Sequence, residues 1–429
     1  MITRRRMLIA TAAAAGTSAA TTILAAAPDS RTGTAAEGNM QNMPSSQPAS
    51  LFQLEADIRA WDAIEDHRTG SPGDLRTARW LASEIEKAGA TPETVEFPLT
   101  RRIPLRASVS DGANRVGGLP LFDSAVTSIQ LTATAGALGS DAQIAVTRFG
   151  PVDRDPRTIA LHEARKKDSH QAIIAIAAGD QIAPGLAVVN AENFRTPFGP
   201  AVIQVPTESG AWIQQAVAAG RALTVDIETQ LENTTASNVQ TRITGRRPEL
   251  PALIIMTPRS AWWTCTAERA GGIALWLNAI RYFAHHPPDR TVIFTANSGH
   301  ELSHLGLDHY LESAHRLIAA AHVWVHLGAN FAAVAAPIRF QASSSELLAE
   351  GLDALRTEGI TDIETTPAGT RPFGEARNIH DGGGRYISLL GSNRWFHHPA
   401  DRWPDAVDMD KAARLNKAMQ TLVIALSRG

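Results

Sequence analysis

Two side chains that can bind a metal ion, His300 and Glu301, follow a buried strand in this sequence. The run at 291–294 is β-branched and apolar, Ser298-Gly299 interrupts it, and apolar residues at helical spacing follow from Leu305. This pattern predicts a strand, a loop and then a helix. Ligands of open α/β sheets gather at the carboxyl ends of the strands, so a site is expected at this loop. The same two residues would also suit an ordinary polar loop at a helix start.

The composition is that of a soluble globular protein with two domains. The chain has 429 residues, of which 44% are hydrophobic and 19% charged, so it can bury a large core. Its formal net charge is −3, and no Lys/Arg-rich stripe is interleaved with aromatic residues, so nucleic acid and anionic membranes are not expected partners. Cys265 is the single cysteine. An internal disulfide is therefore impossible, and a metal site would have to use His and carboxylate ligands.

The first 50 residues have the composition of a targeting segment and a linker. Thr3-Arg4-Arg5-Arg6-Met7-Leu8 fits a twin-arginine export signal, and the Ala-rich stretch to Ala27 is too weakly hydrophobic for a permanent membrane span. We expect residues 1–27 to be this signal peptide, with an ordinary secretory signal or an uncleaved anchor as the alternatives. Residues 28–50 are expected to be a disordered linker. The mature protein is then periplasmic or secreted, without stable membrane association.

The rest of the chain alternates helical and strand patterns, which is typical of the α/β class. Residues 51–106 show two helices and then a strand, and the segment 252–294 reads as a β-α-β unit. Residues 107–232 carry short apolar runs broken by Gly and Pro, which indicates an inserted β-rich domain. We therefore predict that 51–106 and 233–429 form one domain, with a mixed, mostly parallel sheet between helices.

The order of these features resembles the co-catalytic zinc aminopeptidase family, which includes bacterial leucyl aminopeptidases, glutamate carboxypeptidase and glutaminyl cyclase. The resemblance covers nearly all of the chain after the linker. It includes the HRTGSPG segment before a helix, an insert like a protease-associated domain, and the strand into His300-Glu301. The tail Phe396-His397-His398-Pro399-Ala400-Asp401 is its most specific part, because the family places a zinc ligand at the position of His397. The resemblance implies a zinc exopeptidase of the aminopeptidase type that acts on peptides or small amides.

At some of the metal-ligand positions that this resemblance implies, the sequence has a residue of a different type from that of the family. The bridging acid falls on Glu268, the second residue of a Glu-Glu pair on Glu301, and the late histidine on His397, which makes a three-ligand zinc site. The second zinc would need Thr257 in place of a family histidine and His326 in place of an aspartate. Because a threonine hydroxyl is a poor zinc ligand, one zinc ion is expected, with His326 as an optional further ligand near Glu268.

The resemblance also implies two catalytic residues. His300 stands in the place of the general base, and an imidazole with a pKa of about 6.5 can take a proton from zinc-bound water and return it to a leaving amine. Arg259 stands where a family residue supports the second metal, and a guanidinium there would stabilise an oxyanion or a substrate carboxylate. Alternatively, His300 is a zinc ligand or an inert neighbour, and Arg259 forms a salt bridge with Glu268.

The same residues also match the motif of a different kind of zinc site. The segment 300–304 is an H-E-x-x-H sequence, which in metalloproteases places two His on zinc from one helix face. The preceding Ser298-Gly299 argues against such a helix, and His304 and His309 are then expected on a helix surface.

An inactive binding protein with a peptidase fold is the third interpretation, because several family ligands are changed. The retained zinc shell and further polar candidates favour an enzyme: His326, Glu375, His380 and Asp381. Four tryptophans near the predicted site are candidates for the wall of an aromatic or apolar pocket, although such residues also serve as core packing: Trp262, Trp263, Trp395 and Trp403.

Overall fold

The computed structural model describes residues 51–179 and 182–429, so the predicted signal peptide and linker lie outside the described residues. The α-helices of this part are α1 Leu51–Asp62, α2 Pro72–Lys87, α3 Pro156–Lys167, α4 Gly210–Ala218, α5 Thr266–His285, α6 Leu305–Ala320, α7 Ser345–Thr357, α8 Ala376–Asp381 and α9 Met409–Leu426. The strands are β1 Pro92–Ser110, β2 Arg115–Gly117, β3 Leu119–Pro120, β4 Ser128–Ala137, β5 Ile144–Phe149, β6 Ala172–Ala177, β7 Ala201–Val205, β8 Ala222–Ile243, β9 Leu253–Pro258, β10 Val292–Asn297, β11 Val323–Leu327, β12 Ile338–Ala342, β13 Ile363–Thr365 and β14 Tyr386–Gly391. Two short 3-10 helices span Thr207–Ser209 and His300–Leu302.

The strands pair in the order β13-β12-β14-β11-β9-β10-β8-β4-β5-β6-β7-β3, with β1 beside β8 and β2 beside β1. In the centre, β14, β11, β9 and β10 are parallel to one another. The predicted strands at 252–256 and 291–294 are the parallel neighbours β9 and β10. The prediction of an α/β fold with a mixed, mostly parallel sheet flanked by helices is confirmed.

Strand β9 shows why its sequence is apolar throughout. Leu253 and Ile255 belong to a large core with helices α1, α5 and α9. Ile254 and Met256 belong to a second cluster on the opposite face, with residues of α6 and α8. Successive side chains of a strand point to opposite faces, so a strand that is covered on both faces needs no polar positions.

The predicted boundaries of the inserted domain, at 107 and 232, fall inside continuous strands. β1 and β8 pair antiparallel from Pro92↔Thr241 to Ser110↔Thr224, with one irregularity between Pro104 and Arg106. Beyond them the insert has apolar clusters of its own, which include residues of β5, β6 and β7. The division into two domains stays a prediction, and the strands that would join them are unbroken.

None of the helices that the structure describes between residues 51 and 429 combines the length and the apolar character that a membrane span requires.

Candidate active centre

The candidate centre lies at the carboxyl ends of the parallel strands β9, β10 and β11. Helix α5 brings its first turn to this edge, and the loop after β14 brings His397. The side chains that meet here are almost completely shielded from solvent, with no residue more than 7% exposed: Glu268, Arg269, His300, Glu301, His326, Glu375 and His397.

A distant carboxylate and a glycine fix the start of α5. The oxygens of Asp401 accept from the backbone N–H groups of Ala267 at 2.7 Å and Glu268 at 3.0 Å, so they satisfy donors that a helix start leaves open. At Gly272 an added Cβ would lie 2.7 Å from Thr257 Oγ1, which shows how closely α5 packs on the end of β9. Both contacts hold Glu268 and Arg269 at the edge of the sheet.

Glu268 forms the middle of a buried charge cluster. Its Oε1 lies 2.7 Å from Arg269 Nη2 and 3.5 Å from His397 Nε2. Burial by itself raises the pKa of Glu268, but the Arg269 guanidinium and the His397 ring outweigh it and hold the pKa at about 2. Glu268 is therefore an anion throughout the physiological pH range.

Arg269 supplies the permanent positive charge of the centre. Its side chain is fully buried, and its Nε donates to the Ser260 carbonyl oxygen at 2.8 Å. Burial and, after it, the charge of Arg269 lower the pKa values of both His300 and His326, and together they hold that of His326 at about 3. Both imidazoles are consequently neutral near pH 7. Arg269 is a residue that sequence reasoning missed, and its only signal is its place directly after Glu268.

Glu301 uses both of its oxygens on partners outside this cluster. Its Oε1 accepts from both the backbone N–H and the hydroxyl of Thr69, each at 2.7 Å, and its Oε2 accepts from the Ser260 hydroxyl at 2.6 Å. The structure brings together the predicted ligands Glu268 and His397, at 3.5 Å, but the ligand atoms of Glu301 do not lie within 4.8 Å of both.

His300 and His326 each use one ring nitrogen on a neighbour. His300 Nδ1 lies 3.3 Å from Glu375 Oε1, and His326 Nδ1 lies 2.9 Å from the Ser388 hydroxyl. Burial raises the pKa of Glu375 to about 8 against the opposing charge of Arg269, so this carboxyl is mostly protonated at neutral pH and can donate to His300. His326 Nε2 makes no hydrogen bond. Glu375 thus joins the site as a partner of the predicted base.

The predicted salt bridge from Arg259 to Glu268 is wrong. Arg259 Nη1 instead lies 2.7 Å from Asp74 Oδ1, both side chains are fully buried, and Nη2 donates to the Ser237 carbonyl oxygen. The strand turns this guanidinium toward α2, where the buried Asp74 compensates its charge. Glu268 takes its positive partner from the next residue of its own helix.

The H-E-x-x-H segment does not have the conformation that its zinc motif requires. Residues 300–302 form a single 3-10 turn, and Ser303 and His304 have positive φ angles of 62° and 60°. His304 is the N-cap of α6, and its ring lies 2.8 Å from Asn378 Oδ1. The expectation that His304 lies on a helix surface is wrong, since it is only 2% exposed.

Residues 183–191 of the predicted insert, which we call the covering segment, close the centre from outside. Val188 N donates to His397 O at 3.3 Å, His397 Nδ1 donates to Val188 O at 2.9 Å, and Ala191 N donates to Glu301 O at 2.9 Å. A fourth hydrogen bond comes from Trp262, whose Nε1 donates to Asn190 Oδ1 at 2.9 Å. The covering segment is thus hydrogen-bonded to both of the loops that carry predicted ligands.

The predicted aromatic residues divide between two environments. Trp263 Nε1 donates to His397 O at 3.0 Å, and the ring centroids of Trp262 and Phe122 lie 4.9 Å apart. Trp395 and Trp403 pack against the main core.

Three solved structures that resemble this chain are peptidases. An aminopeptidase from Aneurinibacillus sp. strain AM-1 is 15% identical, with a TM-score of 0.67 over 89% of this chain and 95% of its own. A zinc aminopeptidase from Bacillus subtilis is 14% identical, with a TM-score of 0.70 over 88% and 95%. A peptidase M28 precursor from Shewanella amazonensis is 14% identical, with a TM-score of 0.68 over 89% and 94%. The chain has a zinc aminopeptidase fold. No family model and no curated protein matches its sequence.

The zinc that this aminopeptidase fold implies does not fit the residues of the centre. Among the described residues, the one group of His, Cys and acidic side chains whose ligand atoms all lie within 4.8 Å of one another is Cys265, Glu268 and Asp401. Asp401 already accepts three hydrogen bonds, two from the start of α5 and one from Asn393 Nδ2 at 3.0 Å. Arg269 adds a fixed positive charge at Glu268, which opposes a second cation at the same carboxylate.

Proposed function

We propose that this chain is a binding protein with a peptidase fold, in which a buried guanidinium takes the place of the catalytic zinc. The observation that carries the proposal is the 2.7 Å contact between Arg269 Nη2 and Glu268 Oε1, with both side chains fully buried. Glu268 is the acid that the resemblance assigns to the metal, and Arg269 neutralises it without any ion. Peptides or small amides remain the expected ligand class, by analogy with the fold alone.

Electrostatics supports the exclusion of zinc. A divalent ion about 4 Å from a guanidinium, at an effective dielectric constant of about 20, is repelled by roughly 8 kcal/mol. Arginine does not lose its proton in proteins, so the repulsion persists at every accessible pH. Glu301 is also held on both of its oxygens by three hydrogen bonds from Thr69 and Ser260, so it would have to move with these partners to reach Glu268 and His397.

A one-zinc exopeptidase is the second candidate, and one observation favours it. His397 Nδ1 donates to a carbonyl oxygen, so a neutral ring has its lone pair on Nε2, which faces Glu268 Oε1 at 3.5 Å. Neither Glu268 oxygen nor His397 Nε2 makes an aligned hydrogen bond. This candidate requires Arg269 to leave Glu268 and Glu301 to join it, with His300 acting as the base.

Metal content separates the two candidates. The protein is purified without chelators, its zinc is measured by mass spectrometry, and hydrolysis of aminoacyl anilides and dipeptides is assayed with and without added Zn²⁺. We expect substoichiometric zinc and no metal-dependent turnover. One zinc per chain together with chelator-sensitive hydrolysis would establish the exopeptidase instead.

We further propose that the mature chain acts outside the cytoplasm, after twin-arginine export. The support is the sequence of residues 3–8 and the Ala-rich stretch that follows it.

A further inference from the structure

A cavity with about 80 Å³ of free space opens between the 66–72 loop, the middle of β1 and the insert. One buried water needs about 10 to 15 Å³ by the same kind of measure, so the cavity has room for several waters or a small organic molecule. Its lining does not include Glu268, Arg269 or His397. It is therefore a different site from the charge cluster, and Glu301 is the one residue of the buried set at the candidate centre that also lines it.

The polar side of this cavity carries three arginines, of which one has no carboxylate in direct contact. Arg68 pairs with Asp66 at 3.0 Å, and Arg101 pairs with Glu232 at 2.9 Å. Arg102 is within 4.0 Å of no carboxylate in the described part of the chain, and its Nη1 donates to the Ser124 carbonyl oxygen at 2.6 Å. Burial lowers the pKa of Arg102 against the opposing charge of Asp123, and that carboxylate is already paired with the buried Arg165 at 2.8 Å.

A second donor of the same wall also lacks a partner. The Nε of Arg101 is buried and makes no hydrogen bond, although the two terminal nitrogens of that side chain are bound to Gly70 O and Glu232. A half-buried guanidinium with no carboxylate in direct contact favours an anionic group with two acceptor atoms, and the free N–H of Arg101 is a further donor in a residue that lines the cavity.

The carboxylates that line the cavity are already engaged. Asp66 is bound by Arg68, and Glu301 accepts three hydrogen bonds from Thr69 and Ser260. Neither of them lies within 4.0 Å of the Arg102 guanidinium.

The other walls are apolar and aromatic. Phe122 and Trp262 lie with their ring centroids 4.9 Å apart, and the Trp262 indole is fixed by its bond to Asn190. Ile103, Phe194 and Leu302 complete this surface. Such a surface binds an aryl or alkyl group and excludes strongly hydrated ones.

We propose that this cavity binds a small carboxylate with an aromatic or branched apolar group. The carboxylate lies on Arg102 and Arg101 Nε, and the apolar group packs against Phe122 and Trp262. Free carboxylic acids and the carboxyl terminus of a peptide share this chemistry. The proposal goes beyond the function proposed above, because it holds whether or not the Glu268 centre contains a metal.

The test compares acids with their amides by isothermal titration calorimetry on the wild-type protein. 3-Phenylpropanoate should bind, and 3-phenylpropanamide, which has the same shape but no charge, should bind at least about 10-fold more weakly. If the two compounds bind equally, or if the acid does not bind, the proposal is overturned by the wild-type protein alone.

Two matched variants on the same strand locate the site. R102Q should weaken binding of the acid by about 10- to 100-fold, because it removes a charge-assisted contact. R106Q should bind like the wild type, since Arg106 is exposed and pairs with Glu228 at 2.5 Å outside the cavity. Unchanged affinity in R102Q, in a protein whose circular dichroism matches the wild type, would refute the assignment.

The source of the carboxylate is resolved by a third comparison, between N-acetylphenylalanine and the tripeptide Ala-Ala-Phe. Binding of both supports a site for peptide carboxyl termini, and binding of the small acid alone supports a site for free acids. A zinc-containing, active protein that also passes these tests would contradict the proposed function and leave this site in place.

Discussion

At the level of single residues, Arg269 determines the electrostatics of the centre. A zinc ion can be removed or exchanged, whereas a guanidinium is part of the chain and stays charged at every accessible pH. It neutralises Glu268 permanently and helps to keep His300 and His326 neutral.

Replacement of Arg269 by Met should destabilise the protein strongly. R269M leaves the Glu268 carboxylate buried and without its main partner, so we expect the free energy of unfolding to fall by about 3 to 5 kcal/mol in urea titrations. R371M removes an exposed arginine that pairs with Asp381 at 2.6 Å, and it should change stability by less than about 0.5 kcal/mol. Equal effects of the two variants would contradict the role of Arg269.

Added zinc gives the same variant a second readout. Without the guanidinium, Glu268 and His397 become available to a cation, so Zn²⁺ should raise the melting temperature of R269M and leave that of the wild type unchanged. Stabilisation of the wild type by Zn²⁺ would speak for the one-zinc candidate.

Glu375 should make stability fall as the pH rises. Its folded-state pKa of about 8 lies above the ordinary value of 4.5, so the folded protein keeps a proton that the unfolded chain loses. This contribution is complete below about pH 4.5, decreases as the pH rises, and is lost at about pH 8, for a change of up to about 5 kcal/mol.

The variant E375Q, which cannot ionise, should therefore lose less stability than the wild type between about pH 5 and pH 8 in urea titrations. Part of the slope should remain, because burial and the Glu268 charge also raise the pKa of Asp401 to about 8. E249Q, at an exposed glutamate, should keep the full wild-type slope. Identical slopes in E375Q and the wild type would show that Glu375 is not the titrating group.

The sequence predicted the residues of the centre only where their position along the chain matches the order of features in the resemblance. The resemblance led to Glu268 and His397, which do meet. It gave no indication that Glu301 would turn to Thr69, 232 positions earlier in the chain, or that Arg269 would point into the cluster. Such contacts depend on side-chain direction in the folded protein, and no local pattern encodes them.

At the level of elements, the packing of α5 on β9 determines where the cluster lies. An alanine at Gly272 would bring its Cβ to 2.7 Å from Thr257 Oγ1 and 3.0 Å from Leu327 O. We expect G272A to lower the free energy of unfolding by about 1 to 3 kcal/mol, because backbone atoms cannot move aside easily.

G117A is the control for this substitution, since the nearest atom to its new Cβ is 4.0 Å away. It should stay within about 0.5 kcal/mol of the wild type. If G272A is as stable as G117A, the close approach of α5 does not hold the centre in place.

The strands were easier to predict than the loop that carries the chemistry. β9 and β10 follow from continuous apolar runs, because both of their faces are buried. The sequence predicts a loop before the helix that begins near Leu305, but it does not show that this loop folds back on itself, with Leu305 N donating to Gly299 O and Gly306 N donating to Ser298 O. An added Cβ at Gly306 would lie 2.1 Å from Ser298 O, so this reversal depends on a glycine whose role appears only in three dimensions.

At the level of the whole molecule, the export prediction concerns residues outside the described part. Replacement of both Arg4 and Arg5 by Lys should leave full-length precursor in the cytoplasm of expressing bacteria, because the twin-arginine pathway reads this pair. Cell fractionation and immunoblotting measure the distribution. The same exchange at Arg31, in the predicted linker, should leave export unchanged, and normal export of the double variant would indicate an ordinary secretory signal.

The long pairing between β1 and β8 also means that β1 is synthesised well before its partner strand. The pairing Ser110↔Thr224 joins residues 114 positions apart, and Pro92↔Thr241 joins residues 149 positions apart. At translation rates of about 5 to 20 residues per second, β1 leaves the ribosome on the order of ten seconds before its partner exists. During that interval it is an unpaired edge of 19 residues, open to wrong partners. A nascent chain that is stalled on the ribosome before residue 222 should therefore bind chaperones. A chain that is stalled only after residue 429 has left the ribosome should no longer bind them.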